Sequence, residues 1–182
     1  MALDQFSWVI PQKLAGSALP GERALAPWPA VEADTRELCA RGVRCLVSLV
    51  RMPGRFGALC AQLGIEWIEY PIKDFAVPAD PLTFSDLIDT IVERVDSGVP
   101  VCVHCRAGVG RTGMVLACVV ARLFGVSADQ AVRTVRRTRA AIDTEEQDAF
   151  VRGFCRLPSE RPRRARREAV CGTGPVRGGG VS

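Results

Sequence analysis

The sequence predicts an α/β domain with a largely parallel central sheet of four to five strands flanked by helices. Two observations favour this class. Short apolar runs alternate with segments of helical periodicity along most of the chain, and strands that alternate with helices build parallel sheets. With 182 residues, 48% of them hydrophobic and 24% charged, the chain is long enough for one domain with a substantial core.

Four apolar runs predict the strands. The run FSWVI, at residues 6–10, stops at Pro11 and predicts an edge strand, because proline cannot donate to a strand ladder. The runs VRCLVSLV (43–50), IEWIEYPI (65–72) and VPVCVHC (99–105) are rich in β-branched or aromatic residues and follow turn signals. They predict the buried part of the sheet.

Helical periodicity fills the segments between and after these runs. Residues 81–96 place apolar side chains at spacings of three and four, which predicts one buried helix face. Residues 111–125 are apolar nearly all round and predict a buried helix. Two later helices open with Ser127 and Thr144, each followed three positions on by a glutamine, the spacing of a capping box. Shorter helical patterns, TRELCARG and RFGALCAQLG, each end at a glycine.

The formal charge of +4 comes entirely from the C-terminal end. Residues 1–157 hold 18 basic and 18 acidic side chains, whereas residues 158–182 hold six arginines and two glutamates. The terminal stretch is poor in apolar residues and rich in Pro, Gly and Arg, so we expect a folded domain over 1–157 and a disordered basic tail over 158–182. A solvated tail without a partner is favoured over one that contacts nucleic acid or acidic lipid.

Several classes of protein are disfavoured by what the sequence lacks. No apolar run is long enough to span a membrane, and no signal peptide is visible, so we expect a cytoplasmic protein without a membrane partner. Eight cysteines without an export signal predict free thiols. A single histidine, His104, excludes a conventional histidine-rich metal site, and we expect no metal and no cofactor. A monomer without a nucleic-acid partner is predicted.

The stretch VHCRAGVGRTG, at residues 103–113, fits two kinds of anion site. From Gly108 it spells G-x-G-x-x-G, the dinucleotide fingerprint, which requires a following strand and an acidic residue about 20 positions on. Two more helical patterns follow instead, and Asp129 opens one of them, so a dinucleotide is not expected. From Cys105 the stretch spells C-x5-R, a cysteine and Arg111 in a strand-to-helix loop, which suits attack on a phosphate ester.

The cysteine interpretation explains more residues at once. A nucleophilic cysteine acts as a thiolate, and helix N-termini lower the pKa of such cysteines from about 8.5 to between about 3.5 and 7.5. Cys105 lies where it receives this charge. Gly108 and Gly110 permit the unusual dihedrals with which a backbone curls around a phosphate, and Arg111 supplies a planar, charged fork. The predicted phosphate-binding residues are Arg106, Ala107, Gly108, Val109, Gly110 and Arg111.

Two neighbours of the loop have predicted supporting roles. Thr112 can donate a hydrogen bond to the sulfur and ease its departure when the intermediate breaks down. His104 precedes Cys105 on a strand, so their side chains point to opposite faces and His104 is badly placed as a base. We expect His104 to hydrogen-bond the backbone behind the loop and fix its shape.

The stretch HCRAGVGRT matches the H-C-x5-R-[ST] loop of the cysteine-dependent protein tyrosine phosphatase superfamily. Together with FSWVIPQKLAGSALP, YPIKDFAVP and AIDTEEQDAF, it makes residues 5–157 resemble a small atypical dual-specificity phosphatase, closest to the dual-specificity phosphatase 23 subgroup. The resemblance implies the phosphatase-type sheet, a phosphocysteine intermediate and no metal. It also implies a phosphorylated protein or peptide as substrate, with phosphotyrosine and also phosphoserine or phosphothreonine as targets.

The resemblance further implies a general acid, an aspartate on a mobile loop about 30 residues before the cysteine. Asp74, in IKDFAVP, fits this spacing and follows a strand. It is favoured over Asp80, whose place just before a helix indicates a cap. Gln147 corresponds to a glutamine that positions the attacking water in parts of the superfamily, but its spacing from Thr144 is explained equally well by a capping box.

Other substrates and a non-catalytic role stay open at this point. Lipid phosphatases of the superfamily typically carry two lysines in the loop, whereas this loop has Arg106 and the apolar Val109, which weakens a phosphoinositide interpretation. A nucleic-acid 5′-phosphate is a further alternative. A non-catalytic phosphate-binding module is disfavoured because Cys105, Arg111 and Asp74 are all present.

Overall fold

The computed structural model describes residues 4–21 and 27–157. The tail predicted for residues 158–182 lies outside the described residues, and its disorder stays a prediction. Within the described ranges, five strands and six helices follow one another in the order β1 (Ser7–Ile10), β2 (Leu14–Ser17), α1 (Trp28–Ala40), β3 (Cys45–Ser48), α2 (Phe56–Gln62), β4 (Glu66–Glu69), α3 (Pro81–Asp96), β5 (Val101–His104), α4 (Gly110–Phe124), α5 (Ala128–Arg136) and α6 (Glu145–Phe154).

The strands form one sheet in the order β1-β2-β5-β3-β4. Strand β1 pairs antiparallel with β2, and the other neighbours are parallel. The predicted α/β class with a largely parallel sheet is confirmed. The sequence pattern missed β2, because its residues LAGS include no β-branched or aromatic side chain. Strand β5 lies at the centre of the sheet, between β2 and β3.

Helices cover both faces of the sheet. On one face, α3, α4, α5 and α6 bury their apolar side chains in a cluster that includes Val101, Val103 and Cys105 of the central strand and the loop after it. On the other face, α1 and α2 enclose a smaller cluster that includes Cys102. This alternation along β5 follows the two-residue period of a strand. It places Cys105 on the face of the larger helical layer.

Helix boundaries agree best where the apolar pattern is long. Helix α3 spans the predicted residues, and Asp80 caps it by accepting a hydrogen bond from the Leu82 amide. Helix α1 begins at Trp28, well before the predicted pattern, because Pro27 and Pro29 belong to its start. Proline is tolerated there, since the N–H groups of the first turn have no partner within the helix. The capping box predicted at Ser127 forms with both of its hydrogen bonds.

Candidate active site

Cys105 lies at the carboxyl end of the central strand, immediately before the loop that leads into α4. In open α/β sheets this edge is where ligands bind. The residue is 3% exposed, yet it lines a shallow cleft of about 90 Å³. That volume is below the range of about 300 to 1,000 Å³ that drug-sized ligands occupy, so the cleft suits a small anionic group. It is lined by Asp74, Phe75, Cys105, Arg106, Ala107, Gly110, Arg111, Asp143 and Gln147.

Three carbonyl groups of the loop are held from outside the cleft. The donor and acceptor pairs are His104 Nδ1 with Cys105 O at 3.1 Å, the Leu19 amide with Arg106 O at 2.9 Å, and Arg139 Nη2 with Gly108 O. None of the three donors lines the cleft. The carbonyl and the N–H of a trans peptide point in opposite directions. We infer that the amides following these carbonyls face the cleft, namely those of Arg106, Ala107 and Val109.

The two glycines of the loop are required for different reasons. Gly108 has a φ of +75°, and a Cβ there would overlap the backbone of Ser17. Gly110 does not have a positive φ, so the prediction that both glycines supply unusual dihedrals is wrong for this residue. A Cβ at Gly110 would overlap the Asp143 carboxylate, which approaches the first residue of α4 closely. A side chain at position 110 would therefore require Asp143 and Gln147 to move.

Arg111 is buried and its guanidinium faces the segment that follows β4. Its Nη1 donates to the Ile72 carbonyl at 2.8 Å, and its Nη2 lies 2.7 Å from Asp74 Oδ1. The Arg111 side chain is 7% exposed and that of Asp74 is 55% exposed. The structure therefore brings Asp74, from a distant segment of the chain, to the same cleft as the loop residues Cys105 and Arg111.

Asp80, the rival to Asp74, lies outside the residues that line the cleft. Its carboxylate accepts a hydrogen bond from the Leu82 amide at 2.9 Å. This backbone hydrogen bond is the main cause that lowers the pKa of Asp80. Asp80 is accounted for as the N-cap of α3, and Asp74 is the aspartate that reaches the cleft.

Phe75 was not among the predicted site residues, although it directly follows Asp74. It lines the cleft, is 64% exposed, and has a φ of +58°. A positive φ is costly for a residue with a side chain, and such strain collects at functional sites. The Phe75 amide lies 3.2 Å from Asp74 Oδ1, so the turn also orients the carboxylate. Its position next to the aspartate was the only signal in the sequence.

His104 lies on the opposite face of β5 from Cys105, among buried groups. Its Nε2 is 2.7 Å from Ser48 Oγ, which in turn lies 2.9 Å from the indole nitrogen of Trp67. Burial lowers the pKa of His104 to about 4, although its hydrogen bond to the Cys105 carbonyl works in the other direction. A ring that is neutral at pH 7 and points away from the cleft does not act on the sulfur as a base.

Thr112 lies in the first turn of α4 and is fully buried. Its Oγ1 has no hydrogen-bond partner in the part of the chain that the structure describes. An unpaired buried hydroxyl costs about 1 to 3 kcal/mol, so the hydroxyl does not stabilise the fold. Donation to the sulfur as it leaves stays a prediction.

Gln147 is fully buried, and its side-chain amide belongs to the wall of the cleft. Its Oε1 accepts from the Asp143 amide at 3.0 Å, and its Nε2 lies 3.5 Å from the Ala76 carbonyl, on the segment that carries Asp74. Only half of the predicted capping box forms, because Thr144 Oγ1 accepts from the Gln147 amide while the glutamine side chain accepts from the Asp143 amide and not from that of Thr144. Sequence spacing alone could not separate the two arrangements.

The described residues contain neither a cluster of potential metal ligands nor a helix that could span a membrane. Residues 4–21 and 27–157 contain no cluster of three or more His, Cys, Asp or Glu side chains that could hold a metal ion. Within the same ranges, no helix is long and apolar enough to cross a bilayer.

Comparison with known proteins gives one family. A family model described as "Polymorphic toxin system, DSP-PTPase phosphatase" matches residues 21–124. The chain is 33% identical over 106 residues to a protein of Invertebrate iridescent virus 3 whose name describes it as a tyrosine phosphatase, 067L; the match covers 57% of this chain and 44% of the viral protein. It is 29% identical over 165 residues to the protein tyrosine phosphatase domain-containing protein 1 of Mus musculus, which covers 81% of this chain and 21% of the mouse protein. The chain thus spans less than half the length of these two relatives.

Solved structures give the same result for the fold. The structure of Tk-PTP in the active form is similar with a TM-score of 0.70 and 27% identity, over 84% of this chain and 98% of that one. Kinase-associated phosphatase, with its catalytic cysteine replaced by serine, is similar with a TM-score of 0.70 and 23% identity, over 85% and 95% of the two chains, and shows the fold alone. The resemblance inferred from the loop motif is confirmed: the chain belongs to the DSP-PTPase phosphatases, as a small atypical dual-specificity phosphatase of the cysteine-dependent protein tyrosine phosphatase superfamily.

Proposed function

We propose that the protein hydrolyses phosphotyrosine monoesters in proteins or peptides, through a phosphocysteine intermediate on Cys105. One observation carries the proposal: the buried sulfur, the guanidinium of Arg111 and the carboxylate of Asp74 line one small cleft at the carboxyl edge of the sheet. A nucleophile, an anion clamp and an acid are the three groups that phosphate-ester cleavage by this route requires.

The first step transfers the phosphoryl group to sulfur. The Cys105 thiolate attacks phosphorus while the leaving oxygen of the substrate departs on the opposite side and takes a proton from Asp74. The inward amides of the loop and Arg111 hold the three equatorial oxygens, whose charge is the main feature of the transition state. Before substrate binds, Asp74 is a carboxylate paired with Arg111 Nη2. An arriving phosphate replaces it on part of the guanidinium, so that Asp74 takes up a proton from solvent and can then protonate the leaving group.

The second step hydrolyses the phosphocysteine. Asp74, now a carboxylate, takes a proton from the attacking water, and the sulfur leaves as a thiolate. Thr112 is suited to donate its hydroxyl hydrogen to that sulfur, since its Oγ1 lacks another partner among the described residues. Gln147 is suited to orient the water, because its amide lines the cleft and is tied to both Asp143 and the Asp74 segment.

The preference for an aryl phosphate is supported by Phe75. The exposed ring lies at the cleft beside Asp74, where it can contact the ring of a phosphotyrosine. The apolar Val109 in the loop supports a protein substrate over a polyanionic lipid headgroup. Phosphoserine and phosphothreonine fit the same chemistry but would leave Phe75 without an aromatic partner.

The test compares substrates under one set of conditions. Wild-type protein is expected to hydrolyse an aryl phosphate and phosphotyrosine peptides without added metal, with kcat/KM higher for phosphotyrosine than for matched phosphoserine, phosphoinositide or nucleic-acid 5′-phosphate substrates. The Phe75→Ala variant is expected to narrow that preference. A higher kcat/KM for a phosphoinositide or a 5′-phosphate than for every phosphopeptide would overturn the proposed substrate class. Binding of phosphopeptides without turnover would overturn the proposal that the protein is an enzyme.

A further inference from the structure

A chain of three hydrogen bonds runs behind the cysteine loop, from an indole to the backbone. Trp67 Nε1 lies 2.9 Å from Ser48 Oγ, Ser48 Oγ lies 2.7 Å from His104 Nε2, and His104 Nδ1 lies 3.1 Å from the Cys105 carbonyl oxygen. Ser48 and His104 are fully buried and face each other in the register of β3 and β5. These hydrogen bonds connect three strands and end on the peptide group of the nucleophile, Cys105.

The groups at the two ends of this hydrogen-bonded series each have a fixed role, and together they favour one order of protons along it. An indole N–H only donates and a carbonyl oxygen only accepts. Trp67 therefore donates to Ser48 Oγ, and the Ser48 hydroxyl hydrogen is free to be donated to His104 Nε2. The ring proton is then on Nδ1, from where it is donated to the Cys105 carbonyl. The other tautomer would set a lone pair of Nδ1 against the carbonyl oxygen and leave the Ser48 hydrogen without this acceptor.

The proton order has a consequence inside the cleft. With the Cys105 carbonyl held by His104 behind the loop, the N–H of the same peptide, which belongs to Arg106, points the other way. Arg106 lines the cleft. The hydrogen bond that starts at Trp67 thus helps to aim an amide at the place where phosphate oxygens gain charge in the transition state.

We propose that Trp67 is a positioning residue of the phosphatase site, acting through Ser48 and His104 on the peptide between Cys105 and Arg106. The inference rests on the proposed function for its kinetic effect, but not for its hydrogen-bond order. Loss of the indole donor makes Ser48 Oγ a better acceptor for a proton on His104 Nε2, so the tautomer that lacks the Nδ1 proton gains population. The Cys105 carbonyl then loses its fixed donor for part of the time, and the amide becomes less well aligned.

The single histidine of the chain makes the proton order directly measurable. In protein labelled with ¹⁵N-histidine, one ring gives the NMR signals, and we expect a protonated Nδ1 and an unprotonated Nε2 between pH 6 and 8. In Trp67→Phe, which keeps an aromatic ring against Phe56, both nitrogens should move toward the average of the two tautomers. Trp8→Phe is the matched control, because Trp8 packs on the same core cluster and its indole makes no hydrogen bond to another described residue.

Kinetics then connect the tautomer with catalysis. Loss of one hydrogen bond that acts through two others is expected to lower kcat about three- to tenfold in Trp67→Phe, with little change in KM. Ser48→Ala should act in the same direction, since it removes both the acceptor of Trp67 and the donor to His104. Trp8→Phe should leave the His104 signals and kcat at their wild-type values.

Several outcomes would overturn this inference. One is a wild-type ring protonated on Nε2, which is measurable even if no variant folds. A second is a fall in kcat for Trp67→Phe with unchanged His104 signals, which would indicate a general structural defect. A third is a change in the His104 signals of Trp67→Phe with unchanged kcat. A wild-type protein without turnover would overturn the proposed function and with it the role of Trp67 in catalysis. The NMR measurement would still decide the hydrogen-bond order.

Discussion

The two sides of the cysteine loop are built in opposite ways. Behind the loop, Trp67, Ser48 and His104 are joined in a hydrogen-bonded chain that ends on the Cys105 carbonyl. In front of it, Arg111 and Asp74 pair with each other across the cleft, Phe75 is exposed with a positive φ, and the buried Thr112 hydroxyl has no partner among the described residues. The rear side therefore stabilises the loop, whereas the front side holds groups that an arriving phosphate can use.

This difference separates stability from function. Groups behind the loop should affect the free energy of unfolding and, through the backbone, the rate. Substitutions of groups in front of the loop should lower the rate strongly and should leave the free energy of unfolding unchanged or raise it. A site arranged for a ligand holds charges, strain and unpaired polar groups that the fold alone does not need.

The largest expected effect in front of the loop comes from Arg111. Arg111→Met should lower kcat/KM by about 10³ to 10⁵, in the range found for arginines that stabilise phosphoryl transfer. Arg111→Lys keeps the charge but loses the fork, so its loss should be smaller. Steady-state kinetics on an aryl phosphate measure both. If the two variants were equally active, with less than a tenfold loss, Arg111 would be excluded as the phosphate clamp.

Asp74 should have the next largest effect. Asp74→Asn should lower kcat by about 10² to 10⁴, the usual contribution of a positioned general acid. The loss should shrink for aryl phosphates whose leaving group needs no proton, such as one with strongly electron-withdrawing substituents. Asp80→Asn is the matched control: it removes the same carboxylate charge, keeps a side-chain oxygen that can cap α3, and should leave kcat near the wild-type value. A larger loss of kcat in Asp80→Asn than in Asp74→Asn would exclude Asp74 as the general acid.

Behind the loop, His104 should make stability depend on pH. Burial lowers its pKa from 6.5 to about 4, so between these values the unfolded chain binds a proton that the folded protein does not. The free energy of unfolding should therefore fall as the pH drops from 6.5 to 4, by about 3 kcal/mol in total from this residue, and should not depend on it above that window. Urea unfolding of wild type and His104→Asn at several pH values isolates this contribution. Equal pH slopes in the two proteins would show that His104 does not titrate in this way.

Thr112 should give the smallest effect and the clearest opposition between rate and stability. Thr112→Val removes an unpaired buried hydroxyl and should raise the free energy of unfolding by about 1 kcal/mol. It should also slow the breakdown of the phosphocysteine about tenfold, seen as a larger initial burst of product. Thr35→Val, at a buried threonine whose hydroxyl donates to the Val31 carbonyl, should give no stabilisation. A Thr112→Val protein that is both less stable and fully active would contradict the comparison of the two sides.

The sequence could predict the parts of this arrangement that depend on local pattern. Strand β5, the loop and helix α4 are continuous in the chain, and the spacing of Cys105 and Arg111 is set by the loop between them. The apolar pattern of α3 predicted its bounds, and the N-cap position just before that helix separated Asp80 from Asp74. These features need no knowledge of which strands are neighbours.

What the sequence could not predict depends on contacts between distant segments. Ser48 meets His104 only because β3 and β5 pair in a particular register, and Trp67 reaches them from the next strand. A side chain at position 110 would have to displace the Asp143 carboxylate, and the loop motif alone contains no sign of this contact. The Gln147 side chain accepts from the Asp143 amide, one residue before the N-cap, and the residue lines the cleft, which the capping-box spacing did not show. Each of these contacts is decided by packing, which local periodicity does not encode.

The central claim is that the Cys105 sulfur receives the phosphoryl group. The most direct measurement quenches the enzyme in denaturant during turnover of a ³²P-labelled phosphotyrosine peptide and locates the label by mass spectrometry. Phosphate on Cys105 is expected in wild type, with a larger trapped fraction in Thr112→Val and none in Cys105→Ser, which should also be inactive. Turnover that persists in Cys105→Ser, or label on any other side chain, would contradict the account.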